Sequence, residues 1–126
     1  MNVTEIAFTA YPVSDISRAK EFYEGLLGLP KGEYDHELPG MPGKYWVEYQ
    51  IGDGTFAISN MWESSGQGGP SIAFEVDDFD AAISKLKSAG VTIDAECIET
   101  SVCKFALIKD PDGNDLTIHK RHPNHA

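Results

Sequence analysis

Residues 6–28, IAFTAYPVSDISRAKEFYEGLLG, read as a strand, a turn and an amphipathic helix that ends in glycine. Residues 72–90, IAFEVDDFDAAISKLKSAG, read the same way. In the first stretch Phe8 lies seven residues before Asp15, which opens a helix carrying Ala19, Phe22, Tyr23, Leu26 and Leu27. In the second, Ser71 lies seven residues before Asp78, which opens a helix carrying Ala81, Ala82, Ile83 and Leu86. Each copy then runs into strands and a tight turn, at Asp53-Gly54 and at Asp112-Gly113. An approximate duplication of about sixty residues implies two similar modules, each too small to bury a good core alone. The modules are expected to pair around a shared space, and the side chains lining it to decide the function.

A chain of 126 residues fits one domain, 1–126, with module one at about 1–63 and module two at about 70–121. The formal charge of −10 argues against nucleic acid or an anionic membrane surface as partner, and solubility is its ordinary explanation. No apolar run is long enough to span a bilayer, and the first residues lack the basic-then-apolar order of a signal peptide. Cys97 and Cys103, six apart, do not form a zinc-type pair. A reduced, cytoplasmic protein is the expectation.

The coarse elements follow from pattern. Residues 5–11 read as a strand that Pro12 ends or places at an edge. Ser14 or Asp15 caps the first helix, which stops near Gly25 or Gly28. Residues 31–44, holding Gly32, Pro39, Gly40, Pro42 and Gly43, read as an exposed loop that can act as a rim or lid. Residues 45–51 and 55–61 form a hairpin about Gly52-Asp53-Gly54, and residues 64–70 link the modules. In the second module residues 71–76 read as a strand and 79–89 as a helix capped by Gly90. An extended segment at 91–98 and a final hairpin of 102–109 with 116–120 follow. The tail from Lys120 to His125 is polar and expected to fray. The fold class is α+β, the order βαβββ taken twice, with curled mixed sheets around a shared cleft.

These residues carry a resemblance. Val13-Ser14-Asp15-Ile16 leading to Phe22-Tyr23 and Leu27-Gly28-Leu29, then residues 72–78, IAFEVDD, then Asp110-Pro111-Asp112-Gly113-Asn114, are similar to the vicinal oxygen chelate superfamily. That superfamily includes glyoxalase I, bleomycin-resistance proteins, fosfomycin-resistance enzymes and extradiol dioxygenases. The motifs are turns and core positions, so they specify a fold and leave the chemistry open. The Asp-Pro-Asp-Gly-Asn stretch lacks the spaced third oxygen ligand and terminal glutamate of a calcium loop, and turn chemistry accounts for it.

The resemblance implies a divalent metal held by His, Gln or Glu on four inward strands. Its first, third and fourth ligand positions fall on Phe8, Ser71 and Thr117. The second falls on the strand 55–60, with Ala57, Ile58 and Ser59 as candidates. A phenyl ring cannot coordinate a metal, and a neutral hydroxyl is a poor ligand. The sequence therefore departs from the metalloenzyme pattern, and no metal or other cofactor is expected.

In the resemblance, strand alternation turns Cys103, Phe105 and Leu107 inward in module two, and Trp46 and Glu48 inward in module one. His119 shares the face of Thr117, two residues on. The candidate cleft is thus lined by Phe8, Trp46, Phe105 and Leu107, with Glu48, Ser71, Thr117, His119 and Cys103 as polar points. Each also has a plainer reading. Phe8 and Trp46 fit a packed core, Glu48 can reach solvent, and His119 can be an ordinary strand histidine. Cys103 has no neighbouring pattern that would lower its pKa.

Two function classes remain. One is a metal-free binder of a small organic molecule, cationic or planar, resembling the bleomycin-resistance branch. The other is a glyoxalase-like lyase or isomerase that uses Glu48 or His119 as base, metal-independent or with relocated metal ligands. A domain with a filled cavity that serves regulation is also compatible. The resemblance implies a homodimer.

Overall fold

Asp15 and Asp78 do the same thing in the two halves of the chain. Each is extended (φ −128° and −131°), and its carboxylate accepts a 3.0 Å bond from the backbone N–H three residues on, Arg18 and Ala81. Each bond satisfies a donor that a helix start leaves orphaned, worth about 1 kcal/mol. The choice between Ser14 and Asp15 is thereby decided. The Ser14 hydroxyl instead accepts from the Arg18 guanidinium at 3.0 Å.

The structure is a computed structural model describing residues 1–2, 4–64, 71–101 and 103–123. It divides into two compact units, Met1–Ser64 and Ser65–Ala126. Unit one holds β1 (Thr9–Pro12), α1 (Ile16–Lys20) with a continuing π-helical turn (Glu21–Leu26), β2 (Lys31–Glu37), β3 (Tyr45–Ile51) and β4 (Gly54–Ser59). Unit two holds β5 (Ile72–Glu75), α2 (Phe79–Ser88), β6 (Ile93–Glu99), β7 (Cys103–Lys109) and β8 (Asp115–Arg121). Each unit is one βαβββ module. The sheet orders are β1-β4-β3-β2 and β5-β8-β7-β6, each with one parallel pair at its first edge and antiparallel pairs after it. Most of the linker 64–70, Val102 and the tail beyond Pro123 lie outside the described residues. Among the described residues no helix is long and apolar enough to cross a membrane.

The helices end differently. At α2 the Val91 N–H donates to Leu86 C=O and Gly90 takes φ 73°, a glycine-closed cap. After α1 the ladder widens, with Leu27 N–H bonding Phe22 C=O five residues back, before Gly28 turns out at φ 69°. The expected stripe is cut short by this widening. Ala19, Phe22 and Tyr23 are buried, while Leu26 and Leu27 remain half-buried. α2 buries Phe79, Ile83 and Leu86 at helical spacing.

Residues 31–44 differ most from the sequence reading. Lys31–Glu37 is β2, antiparallel to β3 with a register shift between Lys31 and Asp35. Only the remaining residues up to Lys44 form a loop, closed by Leu38 N–H to Lys44 C=O at 2.7 Å. The glycine at 32 marks a close approach: a Cβ there would stand 2.9 Å from the Glu48 carbonyl oxygen. In the unit-one hairpin the positive-φ glycine is Gly52 (φ 57°), and Gly54 already begins β4. Asp110 organises the unit-two turn, its carboxylate accepting from the N–H groups of Asp112 and Asn114 and from the Asn114 amide. Those bonds are a turn's own wiring.

Each sheet has one face against its helix and one face away from it. Tyr11, Val47, Tyr49, Phe56 and Ile58 fill the helix side in unit one; Phe74, Ala106, Ile108, Leu116 and Ile118 fill it in unit two.

Candidate ligand-binding site

The alternation of β3 puts Val47 and Tyr49 on the helix side and Trp46 and Glu48 on the other, as the sequence suggested. The Trp46 indole N–H donates to Glu48 Oε2 at 2.9 Å. Two residues apart on one face, the pair fixes the ring's polar edge. Phe8 meets the Trp46 ring edge-on, with centroids 5.0 Å apart and planes at 88°. Trp62 meets it at 5.9 Å and 65°. Trp62 was missed because it follows the strand, where alternation no longer assigns a face. Phe8 and Trp62 remain 48% and 45% exposed, so this group is an open aromatic surface. Beneath it Ala57, opposite Glu48, and Ser59, opposite Trp46, are fully buried. His36 pairs with Trp46 from β2.

In unit two the same side of the sheet carries Cys103, Phe105 and Leu107 of β7 with Thr117 and His119 of β8. Register places Phe105 opposite His119 and Leu107 opposite Thr117. Ser71 and Thr117 exchange a hydroxyl bond of 3.1 Å. Cys103 is buried, its sulfur 3.3 Å from Thr100 Oγ1, while Cys97 is exposed. His119 Nδ1 lies 2.6 Å from Glu75 Oε1, and Glu75 Oε2 accepts the Arg121 N–H at 2.8 Å. Burial pushes the Glu75 carboxyl up, but the bonds from the Arg121 amide and His119 outweigh it and hold it below the ordinary carboxylate range. The sequence reading missed Glu75. Its signal was present: β5 alternation places it on the face of Ser71, next to His119 in the parallel register.

Strand register also chooses among Ala57, Ile58 and Ser59. In unit two Ile72 pairs with Leu116, so Thr117 lies one residue beyond the partner of the residue after Ser71. In unit one Thr9 pairs with Phe56, and the residue in the same relation to Phe8 is Ala57. The four positions that the resemblance makes metal-binding thus hold a phenyl, a methyl and two neutral hydroxyls bonded to each other. This donor set does not fit a divalent transition metal. Among the described residues no group of three or more His, Cys, Asp or Glu is placed to hold one.

The profile of the Glyoxalase/Bleomycin resistance protein/Dioxygenase superfamily matches residues 5–118. Among solved structures, the antibiotic binding protein TnmS3 from Streptomyces sp. CB03234 is 25% identical, with 97% of this chain and 99% of that chain covered and a TM-score of 0.75. A glyoxalase/bleomycin resistance protein from the same organism is 27% identical, covering 90% and 98%, with a TM-score of 0.69. The fosfomycin resistance protein FosX from Mesorhizobium loti, at 18% identity, 94% and 92% coverage and a TM-score of 0.71, shares the fold alone. No curated protein matches the chain.

Proposed function

The chain belongs to the glyoxalase/bleomycin resistance protein/dioxygenase superfamily, and on that premise we propose that it is a metal-independent binder of a small, planar organic molecule. The observation that carries this reading is the Trp46 group. One indole is framed by two part-exposed rings, Phe8 and Trp62, and tied by its N–H to the carboxylate of Glu48. Such a surface offers stacking area and a fixed negative charge, which suits a planar cation. The likeness to an antibiotic-binding protein supports the same reading. The ligand-binding residues in this proposal are Phe8, Trp46, Ser71, Cys103, Phe105, Leu107 and Thr117, with Glu48 and His119 as polar contacts. A homodimer and a cytoplasmic location belong to it as well.

Titration with a planar cationic dye such as proflavine, followed by tryptophan fluorescence, tests it. Saturable quenching that weakens at least tenfold in Trp46→Ala is expected. Quenching that does not saturate, or that Trp46→Ala leaves unchanged, overturns the reading. Binding that disappears on chelation, or stoichiometric zinc, nickel, iron or manganese at Phe8, Ala57, Ser71 and Thr117, defeats the metal-free part.

A second reading, a lyase or isomerase that moves a proton, is favoured by one observation. His119 is held by a carboxylate at 2.6 Å. Recovery of a bound ligand chemically changed would select it over sequestration.

A further inference from the structure

Both carboxylate oxygens of Glu75 are engaged, and only one of them with His119. Its Oε2 is committed to the Arg121 backbone N–H at 2.8 Å, leaving Oε1 to face His119 Nδ1 at 2.6 Å. An ionised carboxylate only accepts, so a neutral His119 must place its proton on Nδ1. Nε2 is then a bare lone pair. Among the described residues it has no hydrogen-bond partner, and the ring is one-quarter exposed on the side of the sheet turned away from α2. The cross-strand neighbour is Phe105, so the acceptor stands beside an apolar ring. The Arg121 guanidinium also stands near the pair, 4.0 Å from Glu75 Oε1.

We propose that Glu75 is a positioning residue that fixes His119 as a hydrogen-bond acceptor at Nε2, and that this atom favours small molecules carrying an O–H or N–H donor. The selection rests on the small-molecule reading above; the tautomer does not. Glu75→Gln makes the test specific. Gln has one oxygen, and the Arg121 N–H claims it, so the amide NH2 faces Nδ1 and donates. The ring must then carry its proton on Nε2, and the outward atom becomes a donor.

The experiment has two arms on the intact chain. In the first, nitrogen-15 spectra of the imidazole are recorded at about pH 8, where an ordinary histidine is neutral. The wild type and Glu75→Asp should show the proton on Nδ1, and Glu75→Gln should show it on Nε2. A wild-type ring protonated at Nε2, or no change in a folded Glu75→Gln, overturns the positioning role; if Glu75→Gln does not fold, the wild-type and Glu75→Asp spectra decide alone. In the second arm, 2-naphthol and its methyl ether are titrated against the nitrogen-15 shift of His119 Nε2. Wild type should prefer the naphthol by about tenfold, as a single directed hydrogen bond supplies. Glu75→Gln should lose or invert that preference. An unchanged preference, or no response of Nε2 to either probe, overturns donor selection, while the tautomer spectra still judge Glu75 and the Trp46 titration judges the aromatic surface.

Discussion

Units one and two follow one path and present different chemistry. Both cap their helix with an aspartate and order their strands alike. Yet unit one packs rings on one another, with Tyr23, Tyr49 and Phe56 in mutual contact and Tyr11 against Phe56, where unit two packs Phe74 and Phe79 among Ile83, Leu86, Ile108, Leu116 and Ile118. The contrast continues on the opposite face. Unit one shows aromatic rings about a single carboxylate; unit two shows hydroxyls and a carboxylate–imidazole pair. Strand pairing uses backbone groups, so a duplicated path constrains neither face of a sheet to keep its side chains. Side-chain chemistry divides along that line, with exposed ring area in one module and directed hydrogen bonds in the other.

The largest effects should come from the two cores. Tyr49→Ala in unit one and Ile108→Ala in unit two each empty a fully buried site, at about 4 and about 3 kcal/mol respectively. Urea unfolding should show the two variants destabilised on this scale; a near-neutral Tyr49→Ala would mean that the ring cluster does not hold unit one together.

Gly32→Ala should cost about 2 kcal/mol, because the new methyl meets the Glu48 backbone in a packed strand pair. It should also disturb the Trp46–Glu48 bond and shift the tryptophan emission. Gly90→Ala in unit two meets no atom within 4 Å but keeps φ 73°, so it should cost about 1 kcal/mol through backbone strain alone. Equal losses from the two substitutions would erase the difference between a close approach and a cap.

Tyr49→Phe removes the hydroxyl that donates to Glu24 at 3.0 Å. Burial, reinforced by that bond, raises the phenol's pKa, so the proton stays on Tyr49 across the accessible range. The loss should be about 1 kcal/mol by denaturation, since Lys31 still faces Glu24 at 3.5 Å.

The smallest effect is acid sensitivity in unit two. The folded Glu75 carboxyl is held below its ordinary value of 4.5, so its stabilisation is present above that value and is lost as pH falls through the lower folded value. Glu75→Gln should flatten this part of the stability profile below about pH 4.5. With Glu75 37% exposed, solvent screening keeps the change small, and an unaltered acid profile would show the pair to be energetically idle.

Much of this was legible. The aspartate cap of the second helix follows from cap chemistry, the split of Trp46 and Glu48 from Val47 and Tyr49 from a period of two, and the grouping of Phe105, Leu107, Thr117 and His119 from that period together with the family resemblance. β2 was not legible. Its glycine and the prolines after it carry the composition of a loop, and Gly32 is there because another strand's backbone passes close by. The π-helical turn after Lys20 was hidden too, because Leu26 and Leu27 continue the apolar pattern that the widened ladder abandons.

By itself the sequence determined the βαβββ order in the second half, the presence of both helices and the final turn, and, with the family resemblance, the face on which the candidate strand side chains lie. These depend on neighbours a few residues apart, and short-range chemistry fixes them. Tertiary structure alone decided that Ala57 stands in the relation to Phe8 that Thr117 has to Ser71, and that Trp46 meets Phe8 and Trp62. It also decided that His119 takes Glu75, 44 residues away, as its partner. Register and side-chain partnership across strands are settled by which backbones pair and pack, and no local pattern along the chain encodes that choice.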